Sequence, residues 1–522
     1  MLARVLSATL AGIEARPVDV EVDVAPGLPV FTIVGLPDMA VRESRERIQA
    51  AFKNSGLRFP SGRITVNLAP ADVRKSGTAY DLPISLALLA ATDNGRRPKD
   101  LIRNGPFLAT GELALDGSIR PVRGVLSMAM MGVGMGARSF LLPLGNRSEA
   151  ALAKSIPLVP LATLREALDW LLESGPEPSS LPDGEWAHVS RRDSHLDMGD
   201  VRGQLPARRA IEVAAAGGHN ILFVGPPGSG KTMLARRLPT ILPSLALDEA
   251  LVVTRIHSVA GRLPFGRPLM LDRPFRSPHH TISDSGLIGG GPRALPGELS
   301  LAHGGVLFLD ELPEFRRNVL EALRQPLEEG FVRVSRSMLN VRYPADAMIV
   351  GAMNPCACGH LGDSRRRCLC SDREIRAYRA RVSGPLLDRF DLHLELPPVA
   401  FDDLASRERG EPSLPIRERV AAAREIQTIR LAAAAQSLAR PRPPINARMS
   451  HDETDQYCAT DLAATDLLRR AMERFGLSAR AHRRVLKVAR TIADMAGADM
   501  LSSAQVAEAI QYRCLDREGA ER

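Results

Sequence analysis

The run Gly225-Pro226-Pro227-Gly228-Ser229-Gly230-Lys231-Thr232 carries the most specific chemical signal in this chain. It fits G-x-x-x-x-G-K-[ST], whose glycines let backbone N–H groups close around phosphate oxygens where a side chain would collide. A helix starting at the end of the run adds the positive charge of its N-terminus. Lys231 can then reach the β- and γ-phosphates of ATP, and the Thr232 hydroxyl can ligate Mg²⁺. Two acids downstream fit the same chemistry: Asp310 to bind Mg²⁺ through water, Glu311 to orient and polarise the attacking water. Asn354 offers an amide to the γ-phosphate or to that water, which is a sensor position. Arg389 is placed as an arginine finger for a neighbouring subunit's ATP, the alternative being a local ion pair with Asp388 or Asp391. Arg480 opens a helix from which it can reach the γ-phosphate as part of a lid, or stand solvated.

Such groups work only if a parallel sheet delivers them to one edge. Ile221–Val224 is an apolar run of buried-strand length before the glycine loop, and 233–238 reads as the helix after it. Val306–Leu309 ends in the two acids, Met348–Met353 ends at Asn354, and 392–396 is a further strand. A helix over 206–216 precedes the nucleotide strand, and 476–480 opens a long helix closed by Gly497.

With 522 residues the chain exceeds one ordinary core, and the length allows about three domains. A hydrophobic content of 45% and a charged content of 25% are those of a soluble globular protein, and 4% aromatic argues against a large stacking surface. The excess of 68 basic over 60 acidic residues suits a polyanionic partner without requiring one. No apolar run reaches membrane-spanning length, and Glu14, Arg16 and Asp19 interrupt the start too early for a secretory core, so a cytoplasmic protein is expected. Six cysteines without a signal segment do not suggest a disulfide scaffold.

Ahead of the nucleotide-binding segment, alternation over 18–24 marks a half-buried strand, followed by a strand at Val30–Val34 and a helix over 38–54 stopped by Gly56. Strands at 64–68 and 107–113, a buried helix over 82–91, a turn at Asp116-Gly117 and a helix over 125–131 complete an α+β domain. Within it, PADVRKSGTAYDLPISLALLAA and GELALDGSIRPVRGVLSM resemble the Lon-protease-type (ribosomal S5-like) domain. The positions of the family's serine and lysine fall on Ala79 and Leu126, which can supply neither nucleophile nor base. Lys75 and Ser76 lie nearby and read as solvated turn residues. The domain is therefore expected to be an assembly or nucleic-acid platform rather than a protease. The expected division is 1–172 for this domain, 173–201 for a Pro/Gly/Ser-rich linker and 202–400 for the ATPase core. A helical connector over 401–440, a helical lid over 441–515 and a tail over 516–522 follow.

GPPGSGKT, GGVLFLDELPEF, GAMNP, SGPLLDRFDL and GLSARAHRRVLKVAR together resemble the AAA+ P-loop ATPases of the magnesium-chelatase and MCM branch. PFRSPHHTISDSGLIGGGPRALPGELSLAHGG and NPCACGH, joined to the front domain, narrow the resemblance to the ComM/YifB family. The fold class implied is α/β: a parallel-sheet core with a C-terminal helical lid behind the α+β front domain. For function the resemblance implies a hexameric ATP-driven motor on branched DNA, with branch migration in natural transformation. A chelatase-type ATPase that remodels a protein or metal-insertion partner is the alternative, since both use the same hydrolysis groups.

Two insertions are candidates for gripping DNA. The stretch 281–291, TISDSGLIGGG, reads as a flexible tip, and 331–342 reads as a hairpin carrying Arg333 and Arg336 near its turn. Arginines on a pore hairpin hold phosphates without reading bases. Cys356, Cys358, Cys368 and Cys370 form C-x-C…C-x-C, which either closes around Zn²⁺, with His360 as a substitute ligand, or is a reduced loop. Arg365, Arg366, Arg367, Arg373, Arg376, Arg379 and Arg381 follow, placed to meet DNA or a subunit boundary.

Overall fold

The computed structural model describes residues 2–92, 106–172, 195–264, 266–291, 294–336, 339–363, 366–399, 409–437 and 443–515. The front domain is built on a seven-stranded sheet. Its order is Val30–Val34, Arg63–Ala69, Glu14–Ala25, Leu2–Ala11, Leu108–Ala109, Phe140–Pro143 and Leu158–Leu161. The expected alternation holds: Val18, Val20 and Val22 are buried, and Asp19, Glu21 and Asp23 take the other face. Leu2–Ala11 pairs antiparallel with Glu14–Ala25 as a strand that charge-based reading of the N-terminus passed over. Helix Asp81–Ala91 is buried along its whole length.

Two expected elements are broken, each for a local reason. The helix over 38–54 divides into Met39–Arg42, whose N-cap Asp38 accepts from the Val41 N–H, and Ser44–Asn54. The strand over 107–113 divides at Gly111, where an added Cβ would lie 2.9 Å from Ile119 Cγ2. Leu108–Ala109 stays in the main sheet, and Glu112–Leu113 pairs with Ile119–Arg120. Lys75 is not solvated as expected: it is buried, and its ammonium donates to the Pro70 carbonyl.

The sheet of the second domain has five parallel strands in the order Phe275–Arg276, Val306–Leu309, Met348–Met353, Ile221–Val224 and Leu392–Glu395. Its middle strands are buried throughout, as apolar runs flanked by helices require. Helix Leu205–Gly217 precedes the nucleotide strand, and Ser413–Ser437 forms the connector. The lid follows as His451–Tyr457, Leu462–Phe475, Ala479–Met495 and Ser503–Gln511. Helix Ala479–Met495 is capped by Ser478 and followed by Gly497 at φ 66°. The expected linker is only partly a linker. Met198 and Val201 are buried in the motor's core, and Arg237 Nη2 holds Asp200 at 2.8 Å; residues 173–194 lie outside the described residues.

The front domain docks on motor helix Leu247–Val259. Ser258 Oγ accepts from the Gly124 N–H at 2.8 Å and donates to Glu149, which also accepts from the Leu126 N–H at 2.9 Å. Burial raises the Glu149 carboxyl above its ordinary range, against these hydrogen bonds. Arg255 reaches the Ile13 carbonyl at 2.9 Å and Glu14 at 2.8 Å.

Candidate active site

Three strand ends bring the predicted groups together. Beyond Ile221–Val224 the chain turns through Gly228 at φ 79° and Gly230 at φ 86°, conformations that favour glycine, and helix Lys231–Ile241 begins. A Cβ on Gly225 would lie 2.5 Å from the Leu396 carbonyl oxygen, so backbone packing admits only glycine there. Lys231 Nζ donates to the carbonyls of Gly225 at 2.6 Å and Pro226 at 2.9 Å, and to Asn354 Oδ1 at 3.3 Å. Burial lowers its pKa, opposed by the charge of Asp310. Ser229 is buried in the same loop with no partner for its hydroxyl among the described residues.

Thr232 Oγ1 donates to Asp310 Oδ2 at 2.8 Å, so the hydroxyl and carboxylate expected to share Mg²⁺ are in contact. Glu311 follows in the left-handed region at φ 53°, which turns its side chain outward; that side chain is 59% exposed, placed to meet a water. His280 Nδ1 stands 3.3 Å from Glu311 Oε2, and its ring lies 4.1 Å from that of His279. Sequence reasoning missed His280 as a site residue, although the tandem histidines stand in a stretch already singled out.

A cavity of about 320 Å³ opens beside Ser229 and Gly230, lined by Val201, Gln204, Met233, Leu234 and Val399. Gln204 donates to the Ser229 carbonyl at 2.9 Å. Its size and apolar wall suit a nucleoside next to the phosphate loop. The orphaned Ser229 hydroxyl, the glycine cradle and the Thr232–Asp310 pair together fit a magnesium nucleotide.

Arg389 is buried, and its guanidinium pairs with Glu328 and the Pro385 carbonyl rather than with Asp388 or Asp391. Asp391 is instead held by Arg484 at 2.6 Å and His219 at 3.3 Å. Burial lowers the Arg389 pKa, helped by Arg484, Arg480 and Arg324 and opposed by Glu328. Arg480 is exposed at the start of helix Ala479–Met495.

The hairpin forms as Phe331–Arg336 paired with Leu339–Pro344, with Arg333 opposite Arg342. Val332, Val334, Val341 and Tyr343 are buried, whereas the Arg333 side chain is 54% exposed and 3.6 Å from Glu329. The Arg336 side chain lies outside the described residues. Within the stretch 281–291, expected as a flexible tip, Asp284–Leu287 is helical and Gly289–Gly290 pairs with Leu295–Pro296. Gly289 serves close backbone approach, since an added Cβ would lie 2.8 Å from the Leu295 carbonyl oxygen and 2.9 Å from the Gly297 nitrogen. The sulfurs of Cys356, Cys358, Cys368 and Cys370 all lie within 4.8 Å of one another. His360 is not among them and faces Asp363 at 3.2 Å. Arg365 lies outside the described residues; Arg379 donates to the Pro355 carbonyl and Arg381 to Glu314.

Family models cover most of the chain. One described as magnesium chelatase, subunit ChlI, matches residues 197–404, and one for the ChlI C-terminal part matches 410–513. A third, described as subunit ChlI of Mg-chelatase, matches 20–146 in the front domain. The competence protein ComM of Haemophilus influenzae is 40% identical over 520 residues, 99% of this chain and 98% of ComM. YifB of Escherichia coli is 41% identical over 512 residues, 97% of this chain and 96% of YifB. A magnesium-chelatase subunit ChlI of Anabaena variabilis is 24% identical over 197 residues, 34% of this chain and 52% of that subunit. With a parallel-sheet AAA+ core, a helical C-terminal region and end-to-end identity at this level, the chain belongs to the ComM/YifB family.

Proposed function

We propose that this protein is an ATP-driven hexameric ring motor that acts on branched or single-stranded DNA, as a branch-migration helicase in recombination or natural transformation. The observation that carries the hydrolysis is the convergence of Lys231, Thr232, Asp310, Glu311 and Asn354 at one sheet edge. Lys231 would leave the Gly225 and Pro226 carbonyls for the β- and γ-phosphates. Magnesium, when bound, neutralises phosphate charge; Thr232 and Asp310 would hold it. Glu311 would take its place beside the attacking water, steadied by His280, while Asn354 holds that water or the γ-phosphate.

Arg389 would act on a neighbour's ATP, and its pairing with Glu328 would have to open when subunits meet. Arg480 would approach from the lid. The kinship with ComM, a competence protein by name, and the exposed Arg333 on its hairpin support DNA as the substrate. Among the described residues no helix is long and apolar enough to cross a membrane.

Steady-state ATP hydrolysis with and without single-stranded and four-way-junction DNA tests the reading, with Glu311→Gln as the blank. DNA stimulation that vanishes in the variant, and a rate per chain that rises with protein concentration, are expected. A robust rate indifferent to every DNA would overturn the DNA assignment and direct attention to a protein or tetrapyrrole partner.

A further inference from the structure

The cysteine cluster is not used by the hydrolysis chemistry, and its geometry is specific. The sulfurs of Cys356 and Cys358 are 3.4 Å apart, those of Cys356 and Cys368 3.7 Å, and those of Cys358 and Cys368 3.6 Å. A disulfide requires about 2.05 Å, so these pairs are not bonded. A tetrahedral ion with metal–sulfur bonds of about 2.3 Å sets its ligands about 3.8 Å apart, close to the separations here. All four sulfurs lie within 4.8 Å of one another, which suits a single ion rather than a sulfide-bridged cluster.

Gly359, at φ 83°, returns the chain directly after Cys358, and its N–H meets the Cys356 carbonyl at 3.1 Å. That turn lets a C-x-C pair converge where two intervening residues are more usual. With four thiolates and no open position, the coordination is that of a structural site.

The cluster also touches the nucleotide machinery. Cys356 stands two residues beyond Asn354. A Cβ on Gly359 would lie 2.9 Å from Pro227 Cδ in the phosphate loop and 3.9 Å from Asn354 Cγ. We propose that Cys356, Cys358, Cys368 and Cys370 hold one zinc ion as a mononuclear tetrathiolate, and that this knuckle braces the phosphate loop and the Asn354 strand end through Gly359. The metal site stands on its own geometry; the bracing rests on reading the loop as nucleotide-binding.

The test uses the full chain purified without chelator. Metal analysis should find about one zinc per chain. The double substitution Cys368→Ser, Cys370→Ser should abolish it, and Cys514→Ser, outside the cluster, should retain it. Replacement by Co²⁺ should give the intense visible bands of a tetrahedral thiolate site. A folded, metal-free wild-type chain with four freely reactive cluster thiols would overturn the site, as would iron in place of zinc or zinc retained by the double variant. Should the double variant not fold, the wild-type metal content and cobalt spectrum decide. Stripping zinc with a mercurial and a chelator should weaken binding of a fluorescent ADP analogue at least about tenfold, the scale on which supporting contacts act. Unchanged ADP binding by the stripped, folded chain would overturn the bracing alone. Zinc-loaded protein that never binds ADP would instead defeat the nucleotide reading and leave the metal site intact.

Discussion

The front domain and the motor both present loops from the edge of a buried sheet, yet they use them differently. At the edge of the ATPase core, three strand ends bring together two hydrogen-bonded pairs, Lys231 with Asn354 and Thr232 with Asp310. In the front domain, the residues that the Lon-type resemblance would set at the serine and lysine positions are Ala79 and Leu126. Leu126 is wholly buried, its N–H spent on Glu149, and Glu149 receives Ser258 from the motor. This segment is a docking surface for helix Leu247–Val259. The contrast teaches that a fold supplies an edge, while the residues standing on it decide between chemistry and assembly.

The sharpest way to break the contrast is to remove the motor's chemistry. Glu311→Gln should lower the ATPase rate about 10²- to 10⁴-fold while nucleotide binding persists, as measured by steady-state kinetics and equilibrium titration. A variant that keeps its rate would show that Glu311 does not orient the water. Reinstating the other pair, Ala79→Ser with Leu126→Lys, should yield no peptidase activity. It should destabilise the fold by about 3 kcal/mol or more, because an ammonium replaces a fully buried side chain. Peptide cleavage by that variant, or unchanged denaturant stability, would erase the distinction.

Smaller changes sharpen it. Ser258→Ala takes a hydroxyl from both Gly124 and the buried Glu149, and should cost about 1–3 kcal/mol in denaturant unfolding with the ATPase rate little changed. A large loss of rate with no loss of stability would mean that the front domain controls hydrolysis directly. His280→Ala should lower kcat by about tenfold and leave KM near its original value, the scale expected of a side chain that orients a reacting group. An altered KM with intact kcat would assign His280 to nucleotide binding instead.

Much of this was legible locally. Adjacent residues specify the phosphate loop, the apolar run ending in Asp310 and Glu311, the alternation around Val20, and the Ser478 cap with Gly497 beyond the helix. Their physics is that of turns, caps and periodicity over a few residues. What the sequence by itself determined was therefore the inventory of groups and the elements that carry them. Tertiary structure decided their partners. Lys231 meets Asn354 across 123 positions, Arg389 meets Glu328 across 61, and His280 meets Glu311 from another loop. Residues 198–201 looked like linker because their role lies in packing on the ATPase core and lining the cavity beside Ser229. Gly289 looked flexible because a sequence does not distinguish a glycine kept for freedom from one kept for close approach. Such contacts leave no periodic trace along the chain; only the packing of distant elements brings them into being.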